Sequence, residues 1–292
     1  MVGMREIRRR IRSVISIQQI TRAMQMVAVS RLKRAEERLR SARPYAEKIQ
    51  ELMQSMAPSL PRIEHPLLAR REPLRIAVVL ITSDKGLCGA FNANIIHYAN
   101  GFIEENSDKE ITLFLIGKKG HDFFSRRPYP IGFYLPQVSR DISPQEVKEI
   151  SNSFVQGFEK GLYDEVHLFY TRFRTAMNTV PARTKLLPIE SPEAEPEQGA
   201  AEPIFEPSPE EIMNELLPRY IEAQVYKGLV ESSASEHGSR MISMKNATDN
   251  AEEMIRSLTL SYNKARQASI TKEIIEVTTA SEALKYARES GL

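Results

Sequence analysis

Apolar and small residues recur every seven positions from the start of the chain, at Ile7, Val14, Thr21, Ala28, Ala35, Ala42, Ile49 and Met56. Pro44 is the only proline between Met4 and Ala57, and no glycine falls in that span. Such a row is the seam of a long helix that packs on another helix. A second row four residues on, Ile11, Leu32, Leu39, Ala46 and Met53, is interrupted by Gln18 and Gln25. There the pattern predicts that the stripe moves to Ile17, Ile20, Met24 and Val27, so that the seam drifts. The helix would span roughly 80 Å, with a bend near Pro44.

The other end of the chain repeats the pattern. Leu216, Ala223, Val230, His237, Met244, Ala251, Leu258 and Ala265 form one row, and Tyr220, Ala234, Met241, Ile255 and Tyr262 a second. No proline follows Pro218, and the helix would reach on the order of 100 Å. Neither helix can bury its stripe alone, so the two must pack on each other. They run antiparallel if the residues between them form a domain joining their ends, and the longer C-terminal helix then protrudes and needs other cover.

The middle of the chain has a different texture. Residues 75–82 are a continuous apolar run, the mark of a strand buried on both faces. Further strands are expected at 111–116, 131–135 and 165–170, separated by helices at 92–105, 118–126 and 144–160, with a last strand near 179–188. Alternating strand and helix predicts a mostly parallel, Rossmann-like sheet. The predicted organisation is α/β: an N-terminal coiled-coil helix (1–57), an inserted domain (74–190), an acidic Pro-rich loop (191–209) and a C-terminal coiled-coil helix (210–292).

The net charge of +2 hides strong segregation. Residues 1–43 carry twelve Lys/Arg against three acids, whereas 186–218 carry nine Glu and no Lys or Arg. Partners of opposite sign are expected at the two places. A single cysteine, Cys88, rules out an internal disulfide, and one Cys with five scattered His cannot assemble a metal cluster. No window of about 18 apolar residues is present to span a membrane.

The stretch from Thr82 to Asn92 is a glycine-containing turn after the first strand, the place where dinucleotide enzymes bind phosphate. Its Gly86-x-x-Gly89 spacing fits neither G-x-G-x-x-G nor a Walker loop, and no acid ends the second strand to hold a ribose. A structural turn is favoured over nucleotide binding, and no cofactor is expected. Nor does any nucleophile-elbow or Ser-His-Asp grouping point to catalysis. Cys88 beside Lys85 has two readings, a lowered-pKa thiol or a small residue packed in a turn, and the second is preferred. His237 falls on the helix seam and reads as a packed residue rather than a ligand. The basic N-terminal helix is compatible with nucleic acid, but it lacks the aromatics that stack on bases, and Ile, Met and Val between its basic residues fit a protein surface.

Three segments resemble the gamma subunit of F-type ATP synthase. They are Arg5–Arg12 with Gln19–Val27 and Arg43-Pro-Tyr45, then Ser83–Gly89, and then Met244–Ala251 continuing through Leu258–Glu273. The resemblance implies a non-catalytic rotor shaft. It would turn inside a hexamer of alpha and beta subunits, with its foot on the c-subunit ring, the epsilon subunit alongside and no nucleic-acid partner. It implies that Arg8, Arg9, Arg12 and Met24, with the turn from Lys85 to Cys88, face the acidic levers of beta. Arg266, Gln267 and Thr271 would meet the beta catch loop, and Phe205 and Glu206 would belong to the foot. Because the family's start motif begins at Met4, the Arg-rich start is expected not to be a transit peptide. A bacterial protein is then implied, at the cytoplasmic face of the plasma (inner) membrane and peripheral to it through the complex only.

Overall fold

A computed structural model describes residues 4–56, 65–136, 142–190 and 209–289. The elements run α1 (Met4–Met56), β1 (Arg75–Ile81), α2 (Phe91–Glu105), β2 (Glu110–Ile116), α3 (Lys118–Phe124), β3 (Ile131–Leu135), α4 (Pro144–Glu159), β4 (Glu165–Thr175), β5 (Asn178–Leu187) and α5 (Pro209–Glu289). Both terminal helices are unbroken, α1 through Pro44 over 53 residues and α5 through Pro218 over 81. The chain divides into two units, Met1–Met26 with Met244–Leu292, and Val27–Ser243.

In the larger unit the strand order is β3-β2-β1-β4-β5. β1 runs parallel to β2 and β4, β2 runs parallel to β3, and β5 closes one edge antiparallel to β4. β1 is buried on both faces, as its apolar run requires. Ile76, Val78 and Leu80 pack against Ile95, Ile96, Ala99 and Phe102 of α2. The alternate residues Ala77, Val79 and Ile81 join Phe154 and Phe158 of α4 and the ends of the long helices, Ile49, Met53 and Met56 with Met213, Leu217 and Ile221. Each residue from Ile76 to Ile81 thus serves one of two cores, the period-two division of a pleated strand. At β1's start Arg75 grips Asp164 through its backbone N–H (2.9 Å) and guanidinium (2.9 Å), fixing the register of β1 against β4. Burial pushes the Asp164 carboxyl upward, but these bonds outweigh it and hold it below its usual range.

In the seven-residue row of α1, Ile7, Thr21, Ala28, Ala35, Ile49 and Met56 are buried and Val14 and Ala42 half-buried, and Leu32 and Met53 of the second row are buried with them. In the smaller unit Arg8 reaches Tyr262 (2.7 Å) and Thr21 reaches Thr248 (2.8 Å). In the larger unit Leu32 and Ala35 pack with Ala234. In each unit residue numbers on α1 rise as those on α5 fall, so the pairing is antiparallel.

The predicted drift of the stripe does not occur. Gln18 and Gln25 stay half-buried with Met24, while Ile17, Ile20 and Val27 are 50%, 58% and 52% exposed. One polar pair on the seam has its partners within it. The Thr21 and Thr248 hydroxyls face each other at 2.8 Å: one donates to the other, and the one that accepts donates to a carbonyl of its own helix, Gln18 O (3.0 Å) or Met244 O (2.8 Å).

Candidate functional site

The turn from Thr82 to Asn92 is held by its own polar groups. Ser83 N–H donates to Asn92 Oδ1 (3.0 Å), Ser83 Oγ donates to Lys85 O (2.7 Å), and Asn92 Nδ2 donates to Cys88 Sγ (3.3 Å). Asp84 Oδ1 accepts from Lys118 N–H (3.0 Å), and Ser83 O accepts from Lys119 N–H (3.0 Å). Two residues adopt left-handed backbone, Leu87 at φ 62° and Gly89 at φ 56°. Gly89 has a second reason to be glycine, because a Cβ there would lie 2.8 Å from Ser243 Oγ of α5.

Arg240 of α5 completes this arrangement. Its Nη2 donates to Lys85 O (3.1 Å) and Gly86 O (3.2 Å), while its Nη1 meets Glu236 Oε1 (2.5 Å) and His237 Nδ1 (3.2 Å). Because Arg240 can only donate, His237 Nδ1 accepts and the imidazole is neutral. Burial, then the charges of Arg240, Arg31 and Arg38, push its pKa down to about 4. Burial likewise raises the Glu236 carboxyl, against the pull of Arg240.

The turn is thus tied by its own side chains, by α3 and by α5, and it projects from the sheet. At its tip Lys85 is exposed and Leu87 is 61% exposed. Cys88 is 1% exposed, and burial raises its thiol pKa more than Arg240 lowers it, so it packs as a neutral small side chain. Arg240 and Glu236 were not singled out by sequence reasoning. Their only signal was the i,i+4 spacing of opposite charges. Nothing in sequence marks which surface such a pair faces.

The second group of predicted residues lies in the smaller unit. Arg8 both donates to the Tyr262 hydroxyl and lies over its ring at 5.5 Å. Arg9, Arg12, Arg266, Gln267 and Thr271 are exposed, and Met24 is half-buried. Large apolar side chains stand outward in the same unit: Ile17 and Ile20, Leu260 at 71%, Ile274, Ile275 and Val277. Phe205 and Glu206 lie outside the described residues.

The family model described as ATP synthase matches residues 3–284. The ATP synthase gamma chain of Heliobacterium modesticaldum is 46% identical over 291 residues, covering 97% of this chain and 100% of that one. The chain belongs to the ATP synthase gamma chain family. The gamma chain of Pelotomaculum thermopropionicum is 44% identical over 285 residues, covering 98% of this chain and 100% of that one. Among solved structures, the central stalk and c-ring of Tetrahymena thermophila mitochondrial ATP synthase includes a chain similar at TM-score 0.62 and 28% identity. That match covers 78% of this chain and 99% of that one. A Euglena gracilis mitochondrial ATP synthase structure matches at TM-score 0.66 over 98% of this chain and 95% of that one, at 16% identity, and so shares the fold. Gamma chains are the central-stalk rotor of ATP synthase and not its catalytic subunits, and this one is a subunit of that membrane-bound complex. Among the described residues no helix is long and apolar enough to cross a membrane.

Proposed function

We propose that the paired helices form an asymmetric shaft inside an alternating hexamer of alpha and beta subunits. The foot of the shaft rests on the c ring with the epsilon subunit beside it, and ring rotation is converted into successive nucleotide states at the beta sites. The observation that carries this reading is the uneven outer surface of the helices in the smaller unit. Arg9 and Arg12 share it with Ile17 and Ile20 on α1, while α5 presents Leu260, Ile274, Ile275 and Val277. Apolar surface of that extent calls for a partner that covers it. A featureless rod would contact three beta subunits equally and shift none of their equilibria, because only differential contact energy moves populations.

On this reading Arg8, Arg9, Arg12, Met24 and Lys85 meet acidic levers of beta, with Cys88 shaping the turn from within and Leu87 adding apolar contact. Arg266, Gln267 and Thr271 meet the beta catch loop, and Phe205 and Glu206 serve the foot. The chain attaches to the cytoplasmic face of the bacterial plasma membrane through the complex. Co-expression with alpha and beta tests the assembly: one copy per three of each in the purified complex supports it. A chain that purifies alone while alpha and beta assemble without it overturns it.

A further inference from the structure

β4 is longer than its neighbour. β1 pairs with it only as far as Phe169, whereas β5 accompanies it to Thr175. Beyond Phe169 no strand among the described residues bonds the edge of β4 on the β1 side. Helix α5 takes the strand's place. Thr171 N–H donates to Ser232 Oγ (3.1 Å), Thr171 O accepts from Ser235 Oγ (3.1 Å), and Phe173 N–H donates to Glu231 Oε2 (3.2 Å). Thr171 and Phe173 are two apart, so both address the same edge, as a ladder would require.

The helix is built for this approach. Gly228, Glu231, Ser232, Ser235 and Gly238 fall at helical spacings on one face, while Val230, Ala234 and Met241 of the α1 seam lie on another. A Cβ on Gly228 would stand 2.9 Å from Leu168, and one on Gly238 would stand 3.2 Å from the Ala176 backbone. Glu231, Ser232 and Ser235 are 7%, 3% and 0% exposed. Interdigitated apolar packing elsewhere along α5 resists separation and rolling, but it supplies no directional bond to the strand. Hydrogen bonds have directional geometry, and breaking these leaves buried donors without partners.

We propose that Glu231, Ser232 and Ser235 are torque-bearing positioning residues, the joint that stops α5 from rolling or sliding against the sheet. The joint resists rotation because three side chains of one helix are bonded to two alternate residues of one strand. This rests on the rotor reading above, and the test separates the two. In the assembled complex the head is fixed to a surface, and a bead is attached through an Asp108→Cys variant on the exposed turn after α2. Angular fluctuations of the bead are recorded with nucleotide held in the head, and unloaded and viscously loaded rotation are recorded with ATP.

Ser232→Ala/Ser235→Ala and Glu231→Ala should broaden the angular distribution and slow loaded rotation. Unloaded hydrolysis should remain, and Glu231→Gln, which keeps an acceptor, should restore the narrow distribution. If the double variant does not assemble, Ser235→Ala alone is read by the same criterion. Unchanged widths in alanine variants that rotate overturn the joint. A parent complex that hydrolyses ATP without turning the bead overturns the rotor reading instead.

Discussion

Met24 is half-buried on α1, in the unit that also exposes Arg9 and Arg12. A lysine there keeps most of the side chain's length and apolar stem but ends in an ammonium, so it can pack as methionine does and still offer a new charge. Met24→Lys is expected to leave the complex assembled and to lower coupling, because the added charge holds an acidic beta lever too tightly for release. Proton pumping per ATP hydrolysed in membrane vesicles measures this, and an unchanged ratio removes Met24 from the coupling surface. His237 gives a different residue-level test. Its folded pKa is pushed down to about 4 from an ordinary 6.5, so between these values the unfolded chain binds the proton and the folded chain does not. Stability is therefore full above pH 6.5 and is lost as pH falls toward 4, by about 2 kcal/mol for a partly shielded site. His237→Gln, which keeps an acceptor for Arg240, should flatten that part of the pH profile in denaturant titrations. An unaltered slope would mean that another group carries it.

Among the elements, those shaped by burial inside this chain were legible. The run at 75–82 became a strand shared by two cores, and the seven-residue row of α1 became the seam, because both patterns record contacts the chain makes with itself. The stripe at Ile17, Ile20 and Val27 was misread for the same physical reason. Apolar residues at helical spacing look alike whether they face a partner helix of the same chain or stand outside, as these do at 50%, 58% and 52% exposure. Gln18 and Gln25 look like interruptions because periodicity scores polarity alone, whereas both stay half-buried beside the seam. At the candidate site two glycines mark the turn in the sequence, but Arg240 lies over 150 residues away, and only the fold brings it to Lys85 and Gly86. The Thr21–Thr248 pair makes the seam testable. Thr248→Val removes the cross-seam bond at nearly constant volume and should lower stability by about 1 kcal/mol, read from the midpoint of chemical unfolding. No loss would mean that Thr21 is fully served by Gln18 O within its own helix.

Across the whole molecule, charge is distributed as the proposed assembly would need it. A net charge of +2 is too small to direct association by itself, but twelve Lys/Arg against three acids in residues 1–43 make one end strongly basic. Exposed charges act over a Debye length of about 8 Å at physiological ionic strength and much farther at low salt. If the N-terminal basic face meets acidic levers, it also steers the encounter with them. Reconstitution from separate gamma-type chain, alpha and beta should then slow as ionic strength rises, while the finished complex, held largely by covered apolar surface, resists the same salt. Arg9→Gln/Arg12→Gln should flatten the salt dependence of the assembly rate without lowering the stability of the isolated chain, since both side chains are exposed. Stopped-flow or native gel time courses over a salt series give the rates. A parent rate that is flat with salt would confine the basic face to solvation and leave the apolar residues, Ile17 and Ile20 foremost, as the surface that selects the partner.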